Sequence, residues 1–132
     1  MLFALLLAQA ATPPVVTLPP APPPADLASL PILALTRRSP ANDVPSEFVR
    51  EEVAAGRCVA ARRDAATGGT GLSVELAVLI DGDGQVRRIV PRAIDCPTVE
   101  QYASGLASRM IRQNLAPGAP GGWYRTTIAF AW

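Results

Sequence analysis

The 132-residue chain contains no histidine and no lysine. Without His it lacks the commonest general base and the commonest metal ligand. Its basic residues are 12 arginines against 11 acids, a net charge of +1. They are spread along the chain, which argues against a nucleic-acid surface. The pairs Arg37-Arg38, Arg62-Arg63 and Arg87-Arg88 read as solvated surface. There are two cysteines, and structural zinc needs four ligands, so zinc is not expected. Ser46, Ser73, Ser104 and Ser108 have no recognisable base partner, and no carboxylate pair has a spacing suited to acid–base work. A non-enzymatic protein with no cofactor and no metal is therefore expected.

The chain opens with "MLFALLLAQA". An apolar run of about ten residues falls short of the roughly 20 that a membrane helix needs. It fits the h-region of a secretory signal, with Ala8-Gln9-Ala10 as a small-x-small cleavage site. On a longer N-terminus, the same segment would belong to a full signal or a membrane anchor. Residues 1–11 are thus a signal-like or truncated anchor segment. Residues 12–41 are proline-dense, a disordered or extended linker in which "LPPAPPPA" favours polyproline II. The stretch "ADLASLPILALTRR" within it is apolar enough to dock. A single folded domain is expected over 42–132, small enough for a covalent staple to help it.

Within that domain, residues 43–57 suit a short helix, with Pro45 in its first turn and Gly56 as its left-handed stop. "LSVELAVLI", residues 72–80, alternates strictly at Leu72, Val74, Leu76, Val78 and Ile80, which predicts a strand. "QVRRIVPR" predicts a second strand ended by Pro91. Between them lies "DGDG". Read as an EF-hand loop from Asp81, its sixth position is Val86 and its twelfth Arg92, where glycine and glutamate are required. The tight-turn reading stands instead, because Asp-Gly supplies the positive φ values that hairpins use. Thr98 to Leu115 predicts an amphipathic helix with a Thr98/Gln101 capping box and Glu100 at the positive end of its dipole. Its apolar face runs through Val99, Tyr102, Ala103, Leu106, Ala107, Met110, Ile111 and Leu115. "WYRTTIAFAW", residues 123–132, reads as a final strand. The fold class is α+β: a small antiparallel three-stranded sheet, one long helix packed on a face, and a short N-terminal helix.

In an oxidising compartment, Cys58 and Cys96 are expected to pair; two buried or free thiols are the alternative. The bridge would close a loop of about 38 residues and contribute on the order of 3–4 kcal/mol.

The order "VELAVLIDGDGQVRRIV", "RMIRQNLAP", "GGWYRTTIAFAW", behind a leader and a proline-rich spacer, resembles the C-terminal domain of the TonB family of periplasmic energy transducers. The resemblance covers about residues 70–132. It implies a periplasmic protein-binding module that engages a partner, an outer-membrane transporter or another envelope complex, by edge-strand pairing. The final strand is the candidate edge, with Tyr124, Arg125 and Thr127 as the residues that read the partner. A homodimer is admitted, and membrane anchoring depends on the N-terminus. The Tyr-Pro region common in the family has only Val44-Pro45-Ser46 as a loose counterpart. A second expectation is an exported structural or assembly protein of the cell envelope, with a disulfide-stapled domain and no transport role.

Overall fold

The computed structural model describes residues 10–13, 26–37, 44–63, 66–112 and 114–132. The signal-like run 1–9 and the polyproline stretch "LPPAPPPA" lie outside the described residues. Among those described, no helix is long and apolar enough to cross a membrane.

The fold is α+β, with helix α1 (Glu47–Ala54), strands β1 (Arg62–Arg63), β2 (Thr70–Ile80) and β3 (Val86–Pro91), helix α2 (Pro97–Ile111) and strand β4 (Gly122–Ala131). All pairings between these strands are antiparallel, and β2 is central. It pairs with β4 along its whole length on one side; on the other it pairs with β3 from Leu76 to Ile80 and with the two-residue β1 at Thr70 and Gly71. Because side chains alternate across a strand, Leu72, Val74, Leu76, Val78 and Ile80 share one face of β2. In the register they stand opposite Phe130, Ile128, Thr126, Tyr124 and Gly122 of β4. Helix α2 covers this face with Val99, Ala103, Leu106, Ala107 and Ile111, all buried and recurring at three- and four-residue steps.

The "DGDG" segment is the hairpin turn. Asp81 N–H donates to Gln85 C=O and Gly84 N–H to Asp81 C=O, with Gly84 at φ 77°. The three residues between form a loop closed by a left-handed glycine. Asp81 organises it: its Oδ1 accepts from the backbone N–H groups of Asp83 and Gln85, and its Oδ2 accepts from Arg87. The Gln85 amide, with Arg87 and Asp83 adding to it, holds the Asp81 carboxyl below its usual range.

Cys58 and Cys96 form a disulfide with Cα atoms 5.0 Å apart. It joins the segment after α1 to the N-cap of α2. Beside it, buried Glu52 accepts three contacts from Arg57 at 2.9–3.2 Å and a hydrogen bond from the Thr98 hydroxyl at 2.8 Å.

The capping box expected at Thr98 and Gln101 does not form. Pro97 takes the first helical position, which shifts the cap to Cys96, and the Thr98 hydroxyl goes to Glu52 instead. Glu100 reaches back to the N–H groups of Cys96 and Ile94, so its charge lies where the dipole favours it. Helix α2 also stops four residues short of Leu115. Arg112 turns extended at ψ 124°, and the Asn114 side chain engages another part of the chain.

Candidate functional site

That other part is residues 26–37, the apolar end of the proline-rich stretch, which wraps over the edge of β4 as a strap. Asp26 caps a single 3-10 turn, Leu27–Ser29, through its side-chain oxygen and Ala28 N–H. This turn lies against β2, and Leu27, like Ala77, is buried outside the main core cluster. The turn therefore sits on the sheet face opposite α2. At Pro31–Leu33 the strap crosses the edge: Arg125 N–H donates to Pro31 C=O and Leu33 N–H to Arg125 C=O, both at 2.9 Å. The bridge, Ile32 opposite Arg125, is parallel.

Past the edge, Leu33 enters the main core and Leu35 packs against it. The strap then joins the segment following α2. Ala116 N–H donates to Ala34 C=O at 3.1 Å, and Thr36 N–H to Asn114 C=O at 2.8 Å. Asn114 clasps the strap end. Its Oδ1 accepts from the Thr36 hydroxyl and Arg37 N–H, and its Nδ2 donates to Arg37 C=O.

Alternation settles what β4 offers on its outer side. Arg125 points its N–H and C=O away from β2, so Thr127 and Ala129 do the same. Neither of these outward pairs has a partner among the described residues. The next outward N–H, on Ala131, donates to the Ser46 hydroxyl at 3.4 Å. The edge is thus held by the strap at one end and touched by Ser46 at the other, with an open stretch between. A groove of about 670 Å³ adjoins this stretch, lined by Leu33, Leu35, Met110, Thr126 and Thr127 among others.

The three residues named from sequence occupy different situations. Tyr124 turns to the α2 side, packs against the core and donates from its hydroxyl to Pro120 C=O at 2.6 Å. Arg125 sits on the other face, its backbone taken by the strap and its Nε buried without a hydrogen-bond partner. Thr127 is exposed with an open backbone. Strand alternation brings Arg125 and Thr127 to one face and one edge and sends Tyr124 to the other. Sequence reasoning did not single out Pro31, Leu33, Leu35 or Asn114; the alternating "PILAL" was the available signal. Among the described residues no group of three or more metal-ligating side chains comes together. No family model, no curated protein and no solved structure matches this chain.

Proposed function

We propose that this chain is a non-enzymatic protein-binding module of the periplasm, working as the C-terminal domain of TonB-family transducers works. It takes an extended segment of a partner, an outer-membrane transporter or another envelope protein, as an added strand on β4. The observation that carries this reading is the edge itself. Unpaired N–H and C=O groups on an edge strand template the addition of another strand. Here the groups of Thr127 and Ala129 are open, and the adjoining Arg125 already binds an extended segment of the same chain.

The test is photocrosslinking from the edge in intact cells. A crosslinking residue at Ala129 is expected to give one dominant adduct with an envelope protein, mapping to an extended segment of it. Thr127→Pro is expected to abolish that adduct. It removes an outward N–H that β2 does not use, so the ladder with β2 keeps its bonds. A probe at Arg88, exposed on β3 across β2 from β4, is the control. Absence of an adduct at Ala129, or an equal adduct from Arg88, rejects the reading.

The disulfide favours a second reading, an exported structural or assembly protein whose edge stays closed. Stable incorporation into an envelope complex that contains no transporter, with Thr127→Pro silent, would support it.

A further inference from the structure

We propose that residues 31–35 are an internal ligand of the recognition edge, and that an external partner binds by displacing them. This rests on the reading of β4 as the recognition edge, and it adds what the partner must look like.

The strap imitates a ligand strand but does so incompletely. It runs parallel to β4, gives it Pro31 C=O and Leu33 N–H, and then turns off at Ala34 toward Ala116. Two ladder bonds are all that it makes with β4. A parallel segment that kept straight would present its next outward groups to Thr127 and then to Ala129, raising the ladder to about six bonds. An external strand thus has more to gain from β4 than the strap has, while the strap has the advantage of being tethered. Tethering through a short linker sets an effective concentration on the order of millimolar. A strap whose own affinity for the vacant edge is ~0.1 mM would therefore weaken the binding of any partner peptide roughly tenfold.

The same geometry specifies the partner. It is an extended segment running parallel to β4, with an aliphatic side chain where Leu33 enters the core. A second apolar side chain follows two positions on, taking the place that Leu35 vacates beside Met110 and Thr126. Proline is accepted at the position of Pro31, which contributes only its carbonyl. It is excluded at Leu33 and at each second residue beyond, whose N–H groups must donate to the edge.

The strap also has a release point away from β4 and away from the core. Asn114→Ala removes its bonds to the Thr36 hydroxyl and to both backbone groups of Arg37, together with one to the Met110 C=O in the last turn of α2, and leaves β2 and β4 untouched.

The experiment uses the full chain and a fluorescent peptide of residues 26–37. A protease site is inserted between Arg37 and Val44, and peptide uptake is measured by anisotropy before and after nicking, with all fragments present. The nicked chain is expected to take up the peptide at least tenfold more tightly than the intact chain. A peptide carrying Leu33→Asp is expected not to bind. In the intact chain, Asn114→Ala is expected to speed hydrogen exchange at the Leu33 and Arg125 amides at least tenfold. Exchange at Tyr124 and Thr126, in the ladder with β2, should not change. Equal uptake before and after nicking overturns the proposal, as does a nicked chain that stays folded and takes up no peptide. A nicked chain that unfolds also overturns it, since the strap is then a permanent part of the core. Crosslinking at Ala129 is read separately. An adduct there without strap exchange retains the partner-binding reading and rejects displacement, and exchange without an adduct rejects partner binding by the envelope.

Discussion

Reduction of the Cys58–Cys96 bridge is expected to destabilise the domain strongly while leaving its folded structure in place. The bridge spans 38 residues. In the chain-entropy treatment, closing a loop of that size removes about 13 cal/mol/K from the unfolded ensemble, or about 4 kcal/mol at 25 °C. For a domain of this size, each kcal/mol moves the melting temperature by roughly 4–8 °C, so a fall of about 15–30 °C is expected. Reduction is a cleaner perturbation than substitution because both sulfurs stay in the core, where Cys96 is fully buried, and no cavity is made. The assay is urea unfolding followed by circular dichroism, on oxidised chain and on chain reduced in denaturant and refolded with reductant, its two thiols confirmed by titration. Because the effect acts through the unfolded state, the dependence on urea should steepen on reduction, as the freed chain exposes more surface. The native far-ultraviolet spectrum should not change. A reduced chain with both thiols titrated and a melting temperature within about 5 °C of the oxidised one would refute the reasoning.

Phe130→Ala, at the largest fully buried side chain, should cost about 3–5 kcal/mol in urea unfolding; a loss below about 1 kcal/mol would place Phe130 outside the core. Gly121→Ala should cost about 1–3 kcal/mol, because a Cβ there meets backbone atoms of Asp81 and Gly82 at 3.2 Å. Gly105→Ala, whose Cβ meets nothing within 4 Å, serves as its control and should be neutral or stabilising. Glu52 is held below its ordinary value near 4.5, by Arg57 first and then by Thr98. Its folded pKa lies below the unfolded one, so its contribution is complete above about pH 4.5 and is lost as pH falls through the lower folded value. Glu52→Gln should therefore flatten the decline of stability on the acid side of pH 4.5; urea midpoints from pH 3 to 7 with unchanged slope would contradict this.

Much of the domain is legible in the sequence because its signals are local. Strict alternation from Leu72 to Ile80 marks a strand with one buried face, Asp81 and Gly84 supply the turn, and the three- and four-residue recurrence from Val99 to Ile111 marks the covering helix. Two cysteines in a small domain left a bridge or two thiols open, and the structure shows the bridge. The misplaced cap at Thr98 and the early end of α2 have another origin. In both places a local preference gave way to a distant partner, Glu52 for Thr98 and the strap for Asn114.

By itself, then, the sequence determined the two helices, the three long strands, their order and the α+β class, since periodicity and turn chemistry are properties of neighbouring residues; the two-residue β1, which makes the sheet four-stranded, and the 3-10 turn at Leu27–Ser29 carry no such period. Tertiary structure alone decided the state of the edge. That "LPILAL" would lie across Arg125, and that Thr127 and Ala129 would stay open beside it, depends on hydrogen bonds between residues more than 90 positions apart. No period in the chain encodes such bonds, because backbone groups look the same at every position until the fold chooses which of them to pair.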